Sequence, residues 1–217
     1  MVMFTMGSAN RVRALWVVVW LAALALFVAG TASAAGEELS PAEIHALQSG
    51  RLVARDDVQD RGGRRYVGGV SYIVIDATPA QVTSVLDDIR VYRDILPRTR
   101  SVRWIGLSRT GDPILDLEQG TSLVHGSYAV RVHHESQGEG AIIRFWLDKS
   151  FRHDIADAGG FFRVEPFADK TLLTYMVMVD LGDGLIVSLF EGRVRRAALS
   201  TPSLVKAYVE SHRPSPS

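Results

Sequence analysis

The segment Gly68–Pro97 restricts the possible folds more than any other part of the sequence. It opens with Val70–Ile75, a short apolar run rich in β-branched residues, which is typical of a well-covered strand. Thr78 follows as a candidate helix N-cap, Pro79 suits the first helical turn, and Gln81 has the spacing of a capping box. The pattern therefore predicts a strand that leads directly into a helix.

Two short helices are predicted in the rest of this segment. The first has an apolar stripe at steps of three and four residues, made of Val82, Val85, Leu86 and Ile89. The second carries Tyr92, Ile95 and Leu96, and Pro97 ends it.

The order of these features resembles the N-terminal signature of the START/Bet v 1-like (SRPBCC) superfamily, and in it the polyketide-cyclase-like and coenzyme Q-binding subgroup. The resemblance rests on DATPAQVTSVLDDIRVYRDILP followed by SVRWIG, and it extends from about Tyr66 to about Glu210. It implies an α+β helix-grip fold, in which a curved antiparallel sheet wraps around a long C-terminal helix and two short helices follow the first strand. An elongated apolar cavity between the sheet and the last helix is implied as well.

Composition excludes several classes of function. The chain has 217 residues, enough for one domain, and no cysteine, so disulfides, thiol nucleophiles and cysteine-ligated metals are excluded. The 24 basic and 24 acidic residues balance. Without a clustered excess of basic residues, nucleic acid is not expected as a partner.

The N-terminus has the layout of an export signal. Arg11 and Arg13 precede an apolar run from Ala14 to Ala29, and Ala32-Ser33-Ala34 offers small residues for cleavage. Residues 1–34 are therefore predicted to be a signal peptide cleaved after Ala34. An uncleaved membrane anchor is the alternative, since the apolar run approaches the length of a membrane span. Both alternatives place the domain outside the cytoplasm, periplasmic, secreted or anchored facing outward, and membrane association through this segment is possible.

The remainder of the chain is divided into three parts. Residues 35–64 are predicted to be an N-terminal extension with a short helix and a strand over Leu52–Val58. Residues 65–211 form the START/Bet v 1-like domain, whose later part has short, regularly spaced strands with hairpin turns, typical of an antiparallel sheet. Helices are predicted over Leu185–Leu199 and Ser203–Ser211. Residues 212–217 are expected to be a disordered tail.

Candidate catalytic and metal-binding residues find little support. His133 and His134 are adjacent on a predicted strand, so their side chains point to opposite faces and cannot both bind one ion. His153 and Asp154 could act as an acid and a base, but their loop context is more typical of turns and surface ion pairs. No GxSxG motif and no phosphate-binding glycine loop is present. No catalytic residue, metal or cofactor is predicted.

The apolar and aromatic residues indicate a ligand cavity. Leu172–Val179 is apolar on both faces, as in a strand that is covered on both sides or that lines a cavity. The candidate ligand-binding residues are Trp104, Tyr128, His134, Phe145, Tyr175 and Phe190. Of these, Tyr128, Phe145, Tyr175 and Phe190 are expected to line the cavity, with His134 or Trp104 near it.

Three functions remain open at this stage. The first is non-covalent binding or transport of a hydrophobic small molecule, and the resemblance implies lipids, isoprenoid quinones or polyketide-like compounds. The second is a cyclase or aromatase that uses the same cavity, which would gain support if His134 faced the cavity and were paired with a carboxylate. The third is a ligand-free protein-interaction module of the cell envelope, which a sealed interior and an exposed apolar patch would favour.

Overall fold

The computed structural model describes residues 38–120, 125–182 and 185–212, and only the backbone of residues 185–190. The predicted signal or anchor segment and the tail beyond residue 212 lie outside the described residues. Within those residues, no helix combines the length and the apolar character needed to cross a membrane.

Short helices and long strands alternate along the chain. The helices are α1 (Pro41–Gln48), α2 (Pro79–Asp87), α3 (Tyr92–Ile95), α4 (Leu185–Leu199) and α5 (Thr201–Ser211), with a 3₁₀ turn at Ile89–Val91. The strands are β1 (Val53–Arg61), β2 (Arg64–Ile75), β3 (Thr99–Leu107), β4 (Pro113–Gly120), β5 (His125–Gln137), β6 (Gly140–Leu147), β7 (Asp157–Phe167) and β8 (Lys170–Asp180).

The eight strands of the described residues form one long, curved, open antiparallel sheet in the order β1-β2-β8-β7-β6-β5-β4-β3. Helices α2, α3 and α5 pack on its concave face, as the inner hydrophobic cluster shows. The α+β helix-grip fold predicted from the sequence is therefore confirmed, and the C-terminal helix is bent into α4 and α5, close to the two predicted helical segments.

The start of α2 has the predicted cap. The Thr78 hydroxyl accepts a hydrogen bond from the Gln81 backbone N–H at 3.3 Å, and the Gln81 side chain accepts one from the Thr78 N–H at 2.9 Å. This capping box satisfies two backbone donors that the helix itself cannot satisfy. Pro79 occupies the first turn, so the strand-to-helix step is determined by local sequence.

The domain begins earlier than residue 65. Strand β1 pairs with β2 along its whole length, from Val53 opposite Tyr72 to Arg61 opposite Arg64. The compact unit starts at Leu39. Residues 39–64 thus contain an edge strand and a covering helix of the same sheet, where the sequence predicted a separate extension.

The sheet is covered on both faces at β2 and β8. Ile73 and Ile75 belong to the inner cluster, while Val70, Tyr72 and Val74 join Leu47 of α1 in a second, outer cluster. In β8, Leu173, Tyr175 and Val177 point inward, and Leu172 and Met176 pack in the outer cluster. The apolar run predicted for Leu172–Val179 therefore has both causes: a covered outer face and an inner face that lines a cavity. Because the eight described strands and both clusters lie within residues 39–212, this unit contains its own hydrophobic core, as a domain that can fold alone does.

Gly68 allows the close approach of β2 to β8 in this curved sheet. A Cβ atom at this position would lie 1.8 Å from the carbonyl oxygen of Val177 and 2.8 Å from its carbonyl carbon. Neither atom belongs to a flexible side chain, so the two strands themselves would have to move apart.

Gly68→Ala is therefore expected to lower the free energy of unfolding by about 3 kcal/mol, as overpacking against backbone does. Gly192→Ala in α4 is the matched control, since a Cβ there meets no atom within 4 Å. It should raise the free energy of unfolding by about 0.5–1 kcal/mol through helix propensity. Chemical denaturation of both variants checks this, and equal stability of the two would contradict the role given to Gly68.

Candidate functional site

A cavity of about 340 Å³ lies between the concave face of the sheet and the C-terminal helices. Alternate residues of the central strands form its wall, because side chains two apart on a strand share a face. They include Tyr128, Val130 and Val132 of β5 and Tyr175, Val177 and Val179 of β8. On the helical side the described part of the wall includes Val194, Ala197, Ala198 and Thr201, together with Tyr92 of α3. The cavity is thus bounded by apolar side chains for most of its surface.

Three aromatic rings form one part of this wall. The ring centroids of Phe162 and Tyr175 are 4.6 Å apart, and the ring of Phe145 lies 6.0 Å from each of them. These separations are those of favourable offset or tilted aromatic pairs. The rings thereby support one another and give the cavity a preformed aromatic surface.

Gly160 of β7 makes room for this arrangement. It lies opposite Phe145 of β6, and a Cβ atom on it would be 2.6 Å from Cζ of that ring. A glycine pair such as Gly159-Gly160 is typical of a turn. In the structure β7 begins at Asp157, because these glycines lie inside the strand beneath an aromatic ring.

The phenol groups of Tyr128 and Tyr175 at the wall interact with other polar side chains of the protein. The Tyr128 hydroxyl donates to Gln119 Oε1. The Gln119 amide in turn donates to Thr99 Oγ1 at 2.9 Å and to the Pro97 carbonyl at 3.3 Å. The Tyr175 phenol interacts with Thr201, whose hydroxyl donates to the Ala198 carbonyl at 2.7 Å.

Burial raises the pKa of both Tyr128 and Tyr175 above the usual value for tyrosine. Their phenols therefore stay neutral at any physiological pH. Among the described residues, the buried side-chain polar atoms without a hydrogen bond are Ser71 Oγ, Arg163 Nε and Arg195 Nε, and none of those residues lines the cavity. The wall thus presents satisfied polar groups, which suits an apolar occupant.

Three ionisable residues of the cavity lining lie close together at one end, which we call the mouth. Arg98, His125 and Asp154 line it and are all exposed. Arg98 forms no ion pair with any residue in the described ranges. The mouth therefore combines one unpaired cation with an apolar interior.

The connection between β6 and β7 forms one side of this mouth and is attached to β5 at both ends. Asp148 is 3% exposed and accepts hydrogen bonds from Arg131 Nε at 2.7 Å and from the Ser150 backbone N–H at 3.0 Å. Further along, Asp154 accepts one from the Ser127 backbone N–H at 2.9 Å. The Arg131 guanidinium lowers the pKa of Asp148 to about 2.

A second depression lies near the other end of β5, where two histidines bind two different carboxylates. His134 Nε2 lies 2.6 Å from Asp87 Oδ1 at the end of α2, and His133 Nδ1 lies 2.7 Å from Asp112 Oδ1 in the β3–β4 turn. Both pairs line this surface depression and not the cavity. Across the described ranges, no group of three or more histidine, aspartate or glutamate side chains is arranged to hold a metal ion.

The structure places the six candidate residues in different environments. Tyr128, Phe145 and Tyr175 line the cavity, as expected. His134 shares their face of the sheet but lies beyond the cavity, against Asp87. Trp104 is 55% exposed on the edge strand β3 and does not line the cavity. The side chain of Phe190 lies outside the described residues, and its backbone belongs to α4.

Gln119 is a polar lining residue that is absent from the six candidates. Leu115, Leu117 and Gln119 alternate along β4, and the two leucines belong to the inner cluster. The same period of two therefore assigns Gln119 to the inner face. Its polarity at the end of an apolar pattern was the signal for a hydrogen-bond partner inside the cavity.

No protein-family model matches the chain, and no curated protein matches it in sequence. Several solved structures do match. A STAR-related lipid transfer protein from Xanthomonas axonopodis has 16% identity and a TM-score of 0.59, over 73% of this chain and 98% of that one. The Zhui aromatase/cyclase from Streptomyces sp. R1128 has 14% identity and a TM-score of 0.55, over 76% and 98%. A START superfamily protein from Mycobacterium smegmatis has 17% identity and a TM-score of 0.51, over 75% and 99%. At these identities the matches show a shared fold, which is the START/Bet v 1-like fold that the sequence indicated.

The ion pair of Asp148 gives a pH-dependent prediction. A lowered carboxylate pKa stabilises the fold above the unfolded-state pKa of about 4, and this contribution of about 2 kcal/mol is lost as pH falls towards 2. Asp148→Asn should thus be less stable than the parent protein above pH 4, and the difference should shrink as the pH approaches 2. Denaturant unfolding at several pH values measures it.

Asp169→Asn in the turn between β7 and β8 provides the control, because Asp169 is exposed and forms no hydrogen bond with the described residues. A gap between parent and Asp148→Asn that stays constant from pH 6 to the lowest pH with folded protein would contradict the assigned ion pair.

Proposed function

We propose that this chain binds a hydrophobic small molecule non-covalently in the cavity between the sheet and helices α4 and α5. The observation that carries the proposal is a cavity of about 340 Å³ with an apolar wall and a polar mouth. Small-molecule sites have volumes of about 300–1,000 Å³, are mostly apolar and contain a few polar groups that fix orientation. The lipid transfer protein among the structural neighbours supports this function at the level of the fold.

The cavity favours a ligand with an apolar body and a polar end. Burial of the apolar body would supply affinity at about 25 cal/mol per Å² before the costs of ordering. The phenol hydroxyls of Tyr128 and Tyr175 already have hydrogen-bond partners inside the protein. They therefore do not need a polar group of the ligand as a partner. A polar end would lie at the mouth, near Arg98 and His125. Lipids, isoprenoid quinones and polyketide-like compounds all have this form.

Location outside the cytoplasm is part of the proposal and rests on the N-terminal sequence. Arg11 and Arg13, the apolar run and Ala32-Ser33-Ala34 are the features that support export. An exported binding protein could hold an apolar compound in the aqueous space where that compound alone is poorly soluble.

A cyclase or aromatase function is the second candidate, supported by the Streptomyces neighbour at the level of the fold. His134 does pair with a carboxylate, but the pair lies outside the cavity, where it could not act on a cavity-bound chain. At the mouth, Asp154 is held by the Ser127 N–H, and both it and His125 are exposed. Binding without turnover is therefore the better supported function. A ligand-free interaction module is the least supported, since it was expected to have a sealed interior.

Native mass spectrometry of the chain purified from its own host, followed by organic extraction, tests the proposal directly. A stoichiometric apolar adduct is expected. A protein that is empty and also fails to bind a panel of lipids and quinones would refute ligand binding. Recovery of a chemically altered compound after incubation would instead favour the cyclase.

Ala198→Trp is expected to abolish the adduct, because an indole at this position of the cavity wall would occupy space that the ligand needs. Ala207→Trp is the matched control: it makes the same change on α5, at an exposed position that does not line the cavity. Mass spectrometry should detect ligand with Ala207→Trp and none with Ala198→Trp, provided that circular dichroism shows both folded. Retention of ligand by a folded Ala198→Trp protein would place the binding site elsewhere.

A further inference from the structure

The free edge of strand β3 carries exposed apolar side chains together with arginines. Trp104 is 55% exposed, Ile105 40% and Leu107 60%, which is unusual for large apolar residues of a soluble domain. We call the following set the β3 edge surface: Arg93, Arg98, Arg100, Arg103, Trp104, Ile105, Leu107 and Arg109. Arg93 and Arg98 precede β3 in the chain, Arg109 follows it, and the other members of the set lie on β3.

This surface concentrates positive charge in a chain with no net charge. Residues 93–109 contain five arginines and one acidic residue, a net charge of +4. Arg100 pairs with Glu118 and Arg103 with Asp116, both at exposed positions where ion pairs are weak. The other three arginines, Arg93, Arg98 and Arg109, form no ion pair with any described residue and are exposed.

The edge is poorly suited to pairing with another strand. Its register with β4 breaks twice, between Thr99 and Ser101 and between Trp104 and Gly106. Such bulges interrupt the regular spacing of backbone N–H and C=O groups that an added strand requires. A second copy of the chain or an extended peptide could therefore pair with only a few residues of β3.

The opposite edge strand shows the contrast. Strand β1 presents Arg55, Asp56, Asp57, Asp60 and Arg61, and it contains none of the large exposed apolar residues of the described part. Charged residues of both signs are the usual protection of an edge. The apolar residues of β3 are thus a feature of that edge and not of edges in general.

Chemistry and position together indicate the partner. Tryptophan with neighbouring aliphatic residues inserts favourably at the interface of a bilayer, and arginine is attracted to anionic headgroups. Moreover, Leu96, Pro97 and Arg98 line the ligand cavity and lead directly into β3. We infer that the β3 edge surface docks the protein on an anionic lipid bilayer, with the mouth of the cavity next to the membrane.

Residues 39–217 allow a direct optical test, because they contain two tryptophans, Trp104 and Trp146. In a Trp146→Phe background, Trp104 is the remaining tryptophan. Its emission should shift to shorter wavelength on addition of phosphatidylcholine vesicles that contain phosphatidylglycerol, and little with phosphatidylcholine alone. The shift should decrease with added salt, since exposed charges are screened.

Co-sedimentation with the same vesicles tests the residues. Trp104→Ser and the double variant Arg93→Gln/Arg109→Gln should each bind anionic vesicles about tenfold more weakly. Two matched controls should bind like the parent: Trp146→Ser, which removes the other exposed tryptophan, and Arg51→Gln/Arg61→Gln, which removes two exposed arginines near β1. The double arginine variants alter exposed side chains only, so they give an answer even if a tryptophan variant fails to fold.

Three outcomes would overturn the inference. The first is an emission of Trp104 that anionic vesicles leave unchanged. The second is an equal loss of vesicle binding in the arginine variants of the two edges. The third is a concentration-dependent dimer in analytical ultracentrifugation that Trp104→Ser abolishes, since the edge would then bind a second copy. None of these outcomes bears on the cavity, whose ligand is detected separately by mass spectrometry.

Discussion

Strands β2 and β8 are buried on both faces, and the rest of the structure depends on this constraint. An apolar residue at every position of a strand requires an apolar layer on each side of the sheet. Helix α1 supplies the outer layer through Leu47, and α5 supplies part of the inner one through Val205 and Val209. Helix α1 at the start of the domain and helix α5 at its end therefore cover opposite faces of the same two strands.

The cavity follows from the way in which the inner layer is completed. Helices α4 and α5 both pack on β2, but α4 presents the small residues Ala197 and Ala198 to the cavity, where larger side chains would have filled the space. On the opposite wall, Gly160 leaves room for the ring of Phe145 against β7. Small residues on both sides thus leave an internal volume, and packing elsewhere keeps it from collapsing.

Local sequence patterns predicted much of the fold and part of the site. The cap at Thr78, the alternation in the strands and the helix over Leu185–Leu199 depend on neighbours in the sequence, so they were readable. Alternation also placed Tyr128, Phe145 and Tyr175 on the inner face. It does not say how far along a strand the cavity extends, so it could not show that His134 and Trp104 lie outside the cavity lining. The pairing of β1 with β2 and the strand role of Gly160 depend on contacts between distant residues, which no local pattern contains.

The arrangement of charge has a consequence for how the molecule turns in an electric field. From residue 35 onward the chain has 22 basic and 24 acidic residues, and since residues 93–109 carry +4, the remainder carries −6. The domain is therefore nearly neutral overall, while an excess of positive charge is concentrated in residues 93–109. A charged surface would exert little net force on it from a distance, yet it would exert a torque that rotates the β3 side towards negative charge. Orientation would then precede contact, and the rate of productive encounters would depend on rotational alignment more than on attraction.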